Sequence, residues 1–463
     1  RRETRAQLPA LGYAYVILTL PALILGNTHP HGTAALLTGG GFAYLWFLAS
    51  LTGRLVRSEP DGFFASVMQQ AMPALRGRPV GVIPFETSAA DSTVVIACSK
   101  EAKAAGCKNV MPVPEARALC PDIVLVTQRP DLFRRAHNAL LNEIFCEIPI
   151  ETVKSIDEMT CTLDKAAVAD PRGLAHRIKT RICLNIGAQI TCSIGFAANR
   201  LLAKIACKVG KPDGIMIWRP EDMPAPLFAL PLDAIPGVGR RMEERLNKAG
   251  LHTVPDLWHA QPKHLRALWG NVNGERMWYA LHGYALHAMP TARGMYGHGR
   301  VLPPGWRDAG HAEPCSRLLL TKAASRMRRG GYYAGRLSLW LDLRRGAWYG
   351  QRDLPSVQDD QACLGGLRAL WEKARRELPR RHEIVRVGVT LGDLSPATTR
   401  QLDLFLNDDR QRRRHETLTN AMDGLNRKFG QRVVTLGPWT PPPGGYAGGK
   451  IAYNRIPSAE DFW

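Results

Sequence analysis

Asp157 and Glu158 stand side by side after apolar Val153 and Ile156, a run that reads as a strand end with charge at its tip. Adjacent like charges are unfavourable without a cation, and carboxylate oxygens suit a hard divalent ion. A solvated acidic turn has the same look, so the rest of the chain must decide between the two.

The flanking pattern supplies a frame. Pro79–Pro84 and Ser92–Ala97 read as short buried strands, Pro114–Leu119 as a turn of helix, and Ile123–Val126 as another strand. Leu132–Phe145 has helical spacing. Val153–Leu163 returns to strand with the acidic pair inside it, and Pro171–Leu184 is helical. Gln189–Phe196 reads as a strand, followed by a helix through Asn199–Val209. Short strands interrupted by helices predict an α+β fold rather than a long doubly wound sheet.

Two later segments carry a different signal. Ile235-Pro236-Gly237-Val238-Gly239 is a glycine turn opening onto an amphipathic helix at Arg240. Successive backbone N–H groups at such a turn form a phosphate seat, the helix-hairpin-helix way of holding a duplex without reading its sequence. An ordinary glycine-capped helix pair is the alternative. Beyond it, strand 297–301, helix 312–330, strands 335–343 and 346–353, helix 358–377 and strand 383–391 make a β-α-β-β-α-β unit. Gly297 to Arg381 holds 17 Lys and Arg against 8 Asp and Glu, the footprint of a phosphate-binding surface or of a solvated charged face.

The 463 residues suffice for about three domains, and 45% are hydrophobic, enough for a sizeable core. A net charge of +20 favours a polyanionic partner, nucleic acid or an anionic membrane surface. The ten cysteines include no C-x-x-C pair, which argues against zinc and fits a reducing cytosol. No Lys, Arg, Asp or Glu lies between Arg5 and Arg54, and Thr33–Leu51 is a 19-residue apolar run. Segment 1–53 reads either as a membrane hairpin with both ends in the cytoplasm, or as a buried apolar segment or sequence foreign to the neighbouring domain.

Taken in order, several motifs resemble the Y-family, or translesion, DNA polymerases of bacteria, of the polymerase IV and V kind. They are Phe63-Phe64-Ala65-Ser66-Val67, Ala102-Lys103 with Gly106 and Met111-Pro112, and Ser155-Ile156-Asp157-Glu158. Ser193-Ile194-Gly195, Asn199 through Ala206, Lys211-Pro212-Asp213-Gly214, Ile235 to Gly239 and Val301-Leu302-Pro303-Pro304 complete the set. The resemblance runs from about Asp61 to Arg455. It implies a multidomain right-hand polymerase after the apolar segment 1–53. Palm and fingers would occupy 54–229, a helix-hairpin-helix thumb 230–290, a βαββαβ little finger 295–395, and a C-terminal tail 396–463.

The implied activity is template-directed DNA synthesis opposite damaged bases, as part of cytoplasmic DNA repair. Deoxynucleoside triphosphates are joined to a primer 3′ end with two Mg²⁺ ions, Mn²⁺ being the substitute. By resemblance Asp157 and Glu158 hold those ions, and the third ligand falls at Glu59, where the family has Asp. Glu is one methylene longer, and Mg²⁺ demands near-octahedral geometry, so Glu59 puts catalytic rate in question. Leu55–Ser58 is too polar for a central strand, and Pro60 cannot donate to a ladder. The family pattern is therefore expected to resume only near Asp61, itself a substitute ligand.

The resemblance also makes Phe64 the ring that excludes a ribose 2′-hydroxyl. It places the backbone of Gly62, Phe63 and Phe64, with Lys103 and Lys204, on the triphosphate. Gly237, Gly239, Arg240 and Arg300 would contact primer-template DNA. The short fingers segment after Ser66 implies low fidelity. Gln401-Leu402-Asp403-Leu404-Phe405 matches the peptide by which bacterial polymerases dock on the sliding clamp, with Leu402, Leu404 and Phe405 as apolar anchors and Gln401 as the hydrogen-bonding end. Asp409–Arg414 starts a basic helix, and Pro441–Gly445 marks a flexible tail. Two readings of other classes stand beside this one. The chain could be a catalytically weak DNA-binding accessory protein recruited through the clamp, or a membrane-tethered DNA protein.

Overall fold

The computed structural model describes residues 62–84, 93–286, 293–379, 381–399 and 409–437. The expectations for segment 1–53, Glu59, Asp61, Gln401, Leu402, Leu404 and Phe405 lie outside the described residues. The chain divides into two compact units between Ala288 and Met289.

The first unit starts with helix α1 (Phe63–Ala71), which buries Phe63, Val67 and Met68. In the neighbouring sheet, β1 (Val80–Ile83) lies between antiparallel β2 (Ala97–Cys98) and parallel β3 (Val124–Thr127). Helix α2 (Pro130–Glu147) opens on a proline, tolerated there because a first-turn N–H has no intrahelical partner. Its Phe133, Ala136, His137, Leu140 and Ile144 make one buried stripe at helical spacing. Helix α3 (Pro171–Asn185) packs on α2, and the fully buried Glu143 ties them together through Arg181 at 3.0 Å and Asn185 at 2.7 Å.

The strand expected over Val153–Leu163 is a hairpin instead. β4 (Ile150–Ser155) and β5 (Glu158–Cys161) pair antiparallel around a turn made by Ile156 and Asp157. Buried Ile156 continues the apolar run through the turn, which hides the break in the sequence. The strand expected over Gln189–Phe196 shortens to β6 (Ile194–Phe196). Before it, side chains take the place of a neighbouring strand: Gln70 Oε1 accepts from Gln189 N, and Asp213 Oδ1 from Cys192 N.

β6 pairs in parallel with β7 (Ile215–Ile217), and helix α4 (Arg200–Val209) is the crossover between them. α4 serves two cores. Cys207 joins the one built on α1 and α2. Leu202, Ala203, Ile205 and Ala206 join another, with the helical region on its C-terminal side. That region contains α5 (Arg240–Lys248), α6 (Val254–His259), α7 (Pro262–Trp269) and α8 (Val272–Leu281). The expected thumb therefore shares a unit with the palm, because one helix belongs to both. No helix among the described residues is long and apolar enough to cross a membrane.

The second unit has the expected order: β8 (Tyr296–Val301), α9 (Ala309–Arg329), β9 (Tyr332–Leu343), β10 (Ala347–Val357), α10 (Asp360–Glu377) and β11 (Ile384–Pro396). The sheet runs β8-β11-β9-β10, all antiparallel. Alternate residues Leu337, Leu339 and Leu341 of β9 enter a core with α9 and α10. The stretch read as a tail from 396 contains α11 (Asp409–Phe429), which docks on this unit. Arg328, nearly buried on α9, donates from Nε to Asp423 of α11 at 2.8 Å and from Nη1 to Asp360 at 2.7 Å. Arg412, from the basic run, is buried and donates to the carbonyls of Pro355 and Ser356.

Candidate active site

The β4–β5 turn buries the acid pair: Asp157 is 6% and Glu158 4% exposed. Ser155 Oγ donates to Asp157 Oδ1 at 2.6 Å, which fixes the carboxylate's orientation. On the other side of the turn, Ile156 enters the core, and its carbonyl oxygen lies 2.6 Å from Nδ1 of buried His137. Burial depresses this imidazole from 6.5 to about 4, so the ring is neutral and Nδ1–H is the donor. Sequence reasoning did not single out His137. A histidine inside the apolar stripe of α2 was the only signal.

Asn199 caps α4, and Lys204 lies one turn inside, only 6% exposed. Burial pulls its ammonium well below the usual lysine range, Glu158 opposes that, and Arg200 and Lys211 reinforce it. Lys154 on β4 is lowered by burial and Arg200, while Glu158 and Glu151 pull the other way. Glu158 and Lys204 thus share a patch with further cations, a setting that suits a metal–triphosphate complex.

The donors fit a hard cation: two carboxylates withdrawn from water, one held in place by Ser155. Among the described residues, no three His, Cys, Asp or Glu side chains gather around a possible ion. The pair offers two carboxylates, and the third ligand expected by resemblance, Glu59, lies outside the described residues.

Phe64 is half-buried and stacks on Phe133 of α2, with centroids 4.3 Å apart and planes 15° apart. Phe63 turns into the core. Gly62 has no room for a side chain, since a Cβ there would stand 2.0 Å from the Cys98 carbonyl oxygen. Among the described residues no side chain caps α1, so its first N–H groups lack that acceptor and suit an anion. Lys103 is half-buried on the short helix Lys100–Ala104. Burial and Cys107 push the neighbouring Cys98 thiol up to about 12, against the pull of Lys103.

The glycine turn forms as expected. Gly237 has φ 100°, a conformation that favours glycine, while Ile235 and Val238 anchor the turn in the core. Gly239 begins α5 without a side-chain cap. Arg240 is exposed and paired with Glu244 at 2.8 Å. Arg300 is placed differently from a groove-facing arginine. It is half-buried, in register with core residue Val387 and on the side of the sheet that α9 covers. The other face carries Trp340, whose ring fills the space above Gly299 and Gly388, with the Arg386 guanidinium 4.6 Å from its centroid. Trp340 and Arg386 were missed because the register that puts two glycines beside a tryptophan is not visible in one strand's sequence.

Known proteins share this architecture. Residues 60–208 match the impB/mucB/samB family, 233–284 the thumb domain of DNA polymerase-iota, and 293–404 the impB/mucB/samB family C-terminal domain. The first match begins just after Glu59. The chain is 34% identical over 387 residues to DNA polymerase IV of Moorella thermoacetica, a match covering 81% of this chain and 93% of that one. It is 29% identical over 407 residues to DNA polymerase IV of Pelotomaculum thermopropionicum, covering 83% and 96%. A solved Y-family DNA polymerase chimera of Dbh and Dpo4 shares the fold, with a TM-score of 0.61 at 24% identity over 72% of this chain and 97% of its own. Ordered motifs, three successive family matches and a relative aligned over most of its length agree: the chain belongs to the impB/mucB/samB family of Y-family DNA polymerases.

Proposed function

We propose that this chain is a DNA-directed DNA polymerase of the translesion type, joining deoxynucleotides to a primer 3′ end in DNA repair. The observation that carries the reading is the buried Asp157–Glu158 pair with Lys204 within reach of its charge. When bound, two Mg²⁺ ions held by Asp157, Glu158 and Glu59 would activate the primer hydroxyl and neutralise the leaving pyrophosphate. The chain's own residues orient the reactants. Ser155 and His137 hold the acidic turn. Lys204 and the N–H groups at the start of α1 receive the triphosphate, with Lys103 as a further phosphate contact. Phe64, backed by Phe133, takes the face of the sugar. Gly237, Gly239 and Arg240 receive the duplex backbone.

The accessory-protein alternative is not favoured, since the relatives that align over most of their length are named DNA polymerase IV. The reading places the chain in the bacterial cytoplasm with DNA. It also makes Gln401 to Phe405 a sliding-clamp peptide, and replacing Leu404 and Phe405 by Ala should abolish clamp binding while sparing basal extension. The main test is primer extension across a template abasic site. Extension with Mg²⁺ and none in EDTA is expected. Primer–template binding without any incorporation would overturn the proposal in favour of an adaptor.

A further inference from the structure

Asn199 closes two helix ends at once. Its Oδ1 accepts from Leu202 N at 3.0 Å, capping the start of α4. Its Nδ2 donates to the carbonyl oxygens of Ala280 at 2.6 Å and Tyr284 at 3.1 Å, in the last turn of α8 and just past it. The amide can serve in only one orientation, because an N–H needs its oxygen and the carbonyls need its nitrogen. The side chain is 3% exposed, so water competes little for these bonds.

The two joined helices do different work. α4 carries Lys204 beside Glu158. α8 supports the glycine turn: Met277 Cε lies 3.1 Å from where a Cβ on Gly237 would stand. α8 is also braced against α6, because the His282 ring is stacked between Trp258 and Trp278, with centroids 3.9 and 3.8 Å away. Packed groups therefore run without a break from the lysine helix, through Asn199, to the turn that receives the duplex.

We propose that Asn199 is a positioning residue for the polymerase reaction. It locks the duplex-holding turn to the helix that bears Lys204, and so sets how long primer–template stays aligned with the acid pair. The inference rests on the function proposed above. A role as helix cap alone makes a different prediction, and two substitutions separate them. Asn199→Ser and Asn199→Asp both keep an oxygen for Leu202 N. Serine is too short to reach the two carbonyls, and aspartate offers them no donor.

The test uses the full chain, a labelled primer–template for release rates, and single-turnover insertion for kcat and KM. Both variants should release DNA about tenfold faster and insert more slowly, with the KM for the incoming nucleotide near wild type; the thermal midpoint should drop, since the two buried carbonyls lose their donor, and release is therefore compared well below it. Release rates equal to wild type in whichever variant folds would overturn the proposal. So would a rise confined to the nucleotide KM. If the wild type binds DNA without incorporating, the proposed chemistry falls, and the release rates still decide whether Asn199 holds the thumb.

Discussion

Phe133 and His137 stand one turn apart on α2 and brace two different parts of the candidate active site. The Phe133 ring lies against Phe64, and His137 donates to the carbonyl of Ile156, the residue before Asp157. A single helix face thus positions both the Phe64 ring and the acidic turn. His137→Phe keeps an aromatic ring but leaves that buried carbonyl without its donor. Single-turnover insertion should slow about tenfold while primer–template affinity stays unchanged.

His137 also ties stability to pH. Its folded-state value of about 4 lies below the ordinary 6.5, so the neutral ring is favoured in the native state. That contribution is fully present above about pH 6.5 and is lost as pH falls toward 4, for a total on the order of 3 kcal/mol. Denaturant midpoints measured across this window should fall more steeply in wild type than in His137→Phe. Equal slopes would show that the ring is not held neutral.

Phe64 is supported from behind by Phe133 and cannot easily retreat. Phe64→Ala should raise ribonucleotide insertion relative to deoxyribonucleotide insertion on the order of a hundredfold. Competing insertion of the two triphosphates opposite one template base measures this. An unchanged ratio would remove Phe64 as the discriminating ring.

α11 is a structural part of the second unit. Arg328 is only 5% exposed and divides its donors between Asp360 and Asp423. Asp423→Ala leaves the Nε–H without its acceptor and should destabilise the unit by about 2 kcal/mol. Calorimetry of the full chain reads this directly, and a midpoint equal to wild type would show that α11 docks without that bond.

Much of this was legible in the sequence, for definite reasons. The second unit shows because its strands alternate and its helices repeat at their own periods: Leu337, Leu339 and Leu341 mark one face of β9. The acid pair shows because adjacent carboxylates need an explanation. The turn at Ile156 was hidden because an apolar side chain occupies it. Asn199 opens the helix expected over Asn199–Val209, but the partners of its amide nitrogen lie more than eighty residues away. Arg328 and Asp423 are likewise ninety-five residues apart. Periodicity tells which face a residue takes, and not which element it meets there.

Single-nucleotide insertion with Mg²⁺, wild type beside Asp157→Asn, tests the central claim most directly. Asn keeps the shape and removes the charge. Insertion should fall by about a thousandfold or more while primer–template binding is retained. Insertion within tenfold of wild type would contradict the assignment of Asp157 as a metal-holding carboxylate.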